Sequence, residues 1–204
     1  MVEIVTGVTL VARVAFFIAS YRGYKAESKK EDDRAIRNWI MESINGLRNH
    51  AVNLMETGYR NDDDNLEREA KVMIDNIDLF KNEVNLAATG EVQSLWNKKS
   101  SPDFDNLIEF DVKVVEEIET VNKIMTELEI EINSDGKNKM RLIGESKAGI
   151  TSARNHFIQR MQFIKEVNWM AQMEKWRDDP EEELVKIFHR RELSTFWTSN
   201  IDLI

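Results

Sequence analysis

The sequence predicts an all-α fold: an elongated bundle of about five main antiparallel helices, with a short helix near the C-terminal end. Three observations predict it. Apolar residues recur at spacings of three and four through most of the chain. Only two prolines and eight glycines interrupt the 204 residues. Clusters of Asn, Asp and Gly fall between the periodic runs, where turns belong. With 42% hydrophobic and 32% charged residues, the chain can bury one sizeable core, and a single domain over 1–204 is expected. Its parts are an apolar N-terminal helix at 1–27, a four-helix body at 31–177, and a C-terminal helix with an apolar tail at 178–204.

The first element stands apart from the rest. Val2 to Tyr21 is apolar almost throughout, and Thr6, Thr9, Arg13, Ser20 and Tyr24 share one narrow sector at helical pitch. A membrane-spanning helix needs about 20 apolar residues, whereas Ile4 to Ala19 carries Arg13 in its middle. A central arginine costs roughly 2.5–3.5 kcal/mol on insertion scales. No basic residue precedes the run and no small-residue cleavage site stands out, so the segment is expected to be retained rather than removed as a secretory signal. It is either core, a helix surrounded by a bundle, or a helix that meets a membrane. The second reading assigns membrane contact to Val5, Val8, Val11, Phe16, Phe17 and Ile18, and makes Arg13 a charge switch. If the helix packs on the bundle, Arg13 must reach a carboxylate or the surface.

The helices of the body follow in order. Glu31, Asp32 and Asp33 form an acidic helix start, after which Ile36, Ile40, Ile44, Leu47, Ala51 and Leu54 repeat until Gly58. Asn61 to Asp64 is a capping cluster. Leu66, Ala70, Met73, Ile77, Phe80, Val84 and Ala87 then alternate by four and three until Gly90, the clearest periodic signal in the chain. A turn this short makes these two helices an antiparallel hairpin. Residues 91–101 break the pattern and predict an irregular connection. Pro102 restarts a helix at its favoured first position, with Val114, Ile118, Val121, Met125, Leu128 and Ile132 on one face. Asn133 to Gly136 is a turn by composition. The next helix carries Ile143, Ile150, Ala153, Phe157, Met161, Ile164 and Ala171, with Gly144 and Gly149 weakening its first turns. Pro180 opens the short last helix, whose three leading glutamates and trailing His189, Arg190 and Arg191 suit a helix dipole.

Charge is segregated. Residues 1–30 carry +3, residues 31–136 carry −14 and residues 137–204 carry +2, for a net −9. The acidic middle repels phosphates, so nucleic acid is not an expected partner. No cysteine is present, which removes disulfides and thiolate metal sites. The residues three before His50, His156 and His189 are Leu47, Ala153 and Lys186, so the Glu-x-x-His pattern of di-iron bundles is missing, and HExxH is missing too. Asp62 to Asp64 lacks the glycine and terminal glutamate of a calcium loop. No phosphate-cradling glycine motif or nucleophile elbow occurs. No enzyme activity, cofactor or metal is expected. Trp169, Trp176 and Trp197 lie in the densest aromatic and methionine region and are candidates for docking a partner, or for packing the last helices together.

An apolar helix beginning MVEIVTGVTLVARVAFF, then a short basic patch at Arg22, Lys25, Lys29 and Lys30, then four or five amphipathic helices, resembles the HeLo and HeLo-like domains of fungal incompatibility proteins and their helical relatives among necroptosis effectors. The resemblance implies a bundle that holds its first helix until a trigger frees it to enter and permeabilise membranes, with self-association. Arg13 departs from the most apolar versions of that helix, so oligomeric or interfacial insertion is the form implied. The expected function is that of a non-enzymatic, cytoplasmic bundle recruited conditionally to membrane lipids. The alternative is a structural or interaction module in which Val2 to Tyr21 is core or an oligomer seam.

Overall fold

The computed structural model describes residues 2–25, 27–87, 102–134 and 137–178, and every regular element among them is an α-helix. These are α1 (Val2–Phe17), α2 (Lys29–Arg60), α3 (Asp64–Ala87), α4 (Pro102–Ile132) and α5 (Lys139–Asp178). The connection expected at 91–101, the helix after Pro180 and the apolar tail lie outside the described residues.

Each long helix forms because one stripe of its surface can leave water. In α2 the buried set includes Ile36, Ile40, Ile44, Leu47, Ala51 and Leu54. In α3 it is Leu66, Ala70, Met73, Ile77, Phe80 and Val84. Both match the spacing of three and four. α4 contributes Phe104, Leu107, Val114, Ile118, Val121, Met125 and Leu128, and α5 contributes Ile143, Ile150, Ala153, Phe157, Ile164 and Val167. Burying each such side chain is worth roughly 1.5–3 kcal/mol. The turn between α2 and α3 is set by Asp63, whose Oδ1 accepts the Leu66 amide at 3.0 Å and so satisfies one orphan donor of the first turn.

α2 packs on α3 and α4, α5 packs on α4 and α3, and α1 packs on α4. Polar links fix the registers. Arg48 donates to Asp78 at 2.8 Å and Lys81 to Asn45 at 2.9 Å, while the Ala87 carbonyl accepts from Arg37 at 3.1 Å, so numbers fall on α2 as they rise on α3. Between α3 and α5 they rise together, with Glu69 paired to Lys147 at 2.7 Å and Glu83 accepting from Arg154 at 2.9 Å. Gly149 lets α5 approach α4 closely, since a Cβ there would stand 2.5 Å from a methyl of Val121. The glycine expected only to weaken α5 is thus a packing residue.

Two boundaries differ from the sequence expectation, and both differences matter for the site. α1 ends at Phe17, not near residue 27, and α2 begins at Lys29, ahead of the acidic triplet. The segment between them is a corner in which Gly23 and Tyr24 adopt φ of 74° and 56°. Tyr24 therefore does not continue the polar sector of α1, and Asp32 and Asp33 are buried instead of forming a solvated acidic start.

Candidate functional site

Among the described residues α1 packs chiefly along α4, while α2 to α5 share their apolar seams among themselves. On its described side chains the inward residues are Val14, fully buried, with Leu10, Val11 and Phe17 partly buried against the core. Phe17 also meets the ring of Trp39 on α2 at 6.1 Å. The outward residues are Thr9, Ala12, Arg13 and Phe16, the last 83% exposed. Of the described side chains assigned to membrane contact, Phe16 alone faces water. Val11, Phe17 and Ile18 point into the packing, and the side chains of Val5 and Val8 lie outside the described residues. Helical pitch placed all six as apolar but could not say which side α4 would take.

Arg13 does find a carboxylate in the acidic middle of the chain. Its Nε donates to Glu116 Oε1 at 2.7 Å and its Nη2 to Oε2 at 2.5 Å, a two-pronged pair with α4. The hydrogen bond to Glu116 raises the already high guanidinium pKa. The two side chains are 47% and 39% exposed. A pair this open to solvent is worth about 0–1 kcal/mol.

The corner is held far more firmly. Asp111 of α4 and Arg160 of α5 are both fully buried. Arg160 Nε donates to Asp111 Oδ1 at 2.6 Å. The other oxygen of Asp111 accepts the hydroxyls of Tyr21 at 2.8 Å and Tyr24 at 2.6 Å. Arg160 Nη2 donates to the Tyr24 oxygen at 2.8 Å and to Asp33 Oδ1 at 2.9 Å, and Arg37 pairs with the second oxygen of Asp33 at 2.7 Å. Asp32 holds the backbone of the same corner, accepting the amides of Arg22 at 2.9 Å and Tyr24 at 2.7 Å and the Ser28 hydroxyl at 3.0 Å. The Tyr24 ring stacks on Phe104 at 5.8 Å, and the Lys29 ammonium lies 4.5 Å over that same ring. Buried charges survive only when paired and hydrogen-bonded, and these are.

The electrostatics follow from burial. Desolvation, reinforced by the Asp111 charge, drives both tyrosine pKa values far up, so each hydroxyl keeps its proton and donates it. Burial also pushes the Asp111 carboxyl up, against the pull of Arg160 and the tyrosines. For Arg160, burial opposes the charge, but the carboxylates of Asp111 and Asp33 outweigh it and hold the guanidinium cationic.

Around the corner, Arg22, Lys25, Lys30 and Arg34 are exposed. At the far end of α5, Trp169 is 62% exposed beside the half-exposed Met170 and Met173. The Trp176 side chain and Trp197 lie outside the described residues. Among the described residues no helix is long and apolar enough to cross a membrane, and no group of three metal-ligating side chains converges.

Sequence reasoning passed over Asp111, Arg160, Tyr21 and Tyr24. A signal was present. Arg160 sits three after Phe157 and four before Ile164, at a core position of α5, and Asp111 sits three before Val114 on α4. Opposite charges at core register on two helices are the mark of a buried pair. No protein-family model, curated protein or solved structure matches the chain.

Proposed function

We propose that the chain is a non-enzymatic antiparallel helical bundle whose N-terminal helix leaves the bundle to act at a membrane surface. The observation that carries this reading is the asymmetry of attachment of α1. It is the most apolar of the described helices, yet among the described residues it packs chiefly along α4 alone, with its ion pair half exposed and Phe16 in water. A helix so apolar and so lightly held has little to lose on release and apolar area to bury elsewhere. With 16 residues and an arginine one turn from its C-terminal end, α1 suits insertion at the interface or within an oligomer better than spanning alone. The exposed cations Arg22, Lys25, Lys30 and Arg34 favour an anionic surface over a neutral one. The resemblance of the sequence layout to HeLo-like cell-death domains supports the same reading.

A second reading is favoured by Phe16. Its exposed ring, with Ala12 beside it on the outer side of α1, suits a seam between copies of the chain. Sedimentation with phosphatidylcholine vesicles, with and without phosphatidylserine, separates the two. The full chain is compared with one lacking residues 1–17, a boundary that spares Tyr21 and Tyr24. Binding that needs the anionic lipid and residues 1–17 supports the membrane reading. Absence of binding by either chain, together with dimerisation that needs Phe16, favours the seam.

A further inference from the structure

We infer that the buried cluster of Tyr21, Tyr24, Asp111, Arg160 and Asp33 is a lock that decides whether α1 stays on the bundle. The inference rests on the proposal that α1 is releasable, and it names what controls release.

Three observations carry it. First, among the described side chains burial is more complete in the corner than in α1. Among the described side chains of the helix Val14 alone is fully buried, whereas Ile18, Tyr21, Tyr24 and Ser28 of the corner are all buried. Secondly, the corner clasps α1 directly. A Cβ on Gly23 would stand 2.5 Å from a methyl of Val11, so the corner backbone lies against the inward side of the helix, and nothing larger than glycine fits between. A corner that shifts must carry away a support of α1. Thirdly, the corner is held in a conformation it would not choose alone. Tyr24 has φ of 56°, a region that side chains other than glycine and asparagine seldom enter. Its hydroxyl, shared between Asp111 and Arg160, and its amide, bonded to Asp32, keep it there. Freed of those partners, the residue relaxes to negative φ, and Gly23 moves with it. The device thus has a strained closed state, a buried set of polar contacts that maintains it, and a lightly held helix as its output.

The test is native-state amide hydrogen exchange on the full chain in the absence of lipid, comparing wild type with Tyr24→Phe and Tyr21→Phe. Tyr24→Phe keeps the ring and its stacking on Phe104 but deletes the oxygen that both accepts from Arg160 and donates to Asp111. A helix of α1's length is marginal in water once detached, so release registers as exchange. The expected result is that amides of residues 10–17 exchange roughly tenfold or more faster in Tyr24→Phe, while those of α3 between Leu66 and Val84 hold their wild-type rates. Tyr21→Phe, which removes one donor and leaves the Tyr24 contacts, gives a smaller increase in the same segment. Wild-type rates in α1 for both variants, or an equal rise in α3, would overturn the lock and make the cluster a general core element. The vesicle experiment fails separately: a Tyr24→Phe chain with a loosened α1 and no vesicle binding sinks the membrane reading and leaves the lock standing.

Discussion

Arg160 and Asp111 lie 49 positions apart and meet at 2.6 Å with no exposure of either side chain, each at a position where its helix would ordinarily place an aliphatic residue. Arg160→Leu removes the guanidinium that bonds Asp111 and leaves that buried carboxylate with the Tyr21 and Tyr24 hydroxyls and no cationic partner among the described residues, while Asp33 keeps its pair with Arg37. The expected loss is about 3–5 kcal/mol of unfolding free energy, measured by urea denaturation. A loss under about 1 kcal/mol would mean that water reaches the cluster.

Gly149→Ala tests the α4–α5 approach. Alanine gains roughly 1 kcal/mol in helix propensity, but its Cβ would sit 2.5 Å from a γ-methyl of Val121, a stiff side chain with little room to turn. Overpacking of this kind costs about 1–3 kcal/mol, so the net expectation is a lower melting temperature, restored at least in part by adding Val121→Ala. A stabilised single variant would show that the helices can part at no cost.

Arg13→Leu separates stability from membrane affinity. Because the pair with Glu116 is half exposed, the substitution should cost no more than about 1 kcal/mol of stability. It also removes the charge that opposes insertion, so binding to anionic vesicles should rise. Unchanged binding across neutral and anionic vesicles would assign Arg13 a structural role only.

Acid sensitivity has a definite sign at the end of the bundle where α3 and α5 begin. The hydrogen bond from Lys139 holds the Asp63 carboxyl below its ordinary 3.8, and that from Lys147 holds Glu69 below 4.5. Groups with lowered folded values stabilise the fold above their ordinary pKa and lose that contribution as pH falls through the folded value. The contribution of these pairs should therefore be present at pH 5 and vanish progressively below about pH 4. Both pairs are partly open to solvent, so each step is small. Asp63→Asn and Glu69→Gln should flatten the decline in melting temperature over that window, and an unaltered decline would place its origin elsewhere.

Much of the fold was legible in the residues. The seams of α2 and α3 were read residue by residue, because amphipathic helices announce their inward stripe at a spacing of three and four. Asn61 to Asp64 was readable as a cap for the same local reason. What periodicity could not supply was the end of α1. The apolar pattern runs on through Tyr21, whereas the chain turns at the left-handed Gly23 and Tyr24, held by two tyrosine hydroxyls on one buried carboxylate 90 and 87 residues away. A distant partner, Arg160, draws Asp33 inward, and the amides of the neighbouring corner draw in Asp32, though locally both look like a solvated helix start. Arg13 is expected to reach a carboxylate or the surface; it does both, and that the carboxylate is Glu116 depends on how α1 lies along α4.

The most direct measurement places a reporter at the tip of the exposed side of α1. The chain has no cysteine, so Phe16→Cys offers a single thiol for a polarity-sensitive fluorophore, at a site 83% exposed in the closed bundle. On phosphatidylcholine vesicles containing phosphatidylserine, the account predicts a shift of the emission to shorter wavelength as α1 leaves water for the lipid interface, larger when Tyr24→Phe is added. An emission that stays at its aqueous value while the protein sediments with the vesicles would contradict it, since the bundle would then be meeting the membrane without its N-terminal helix.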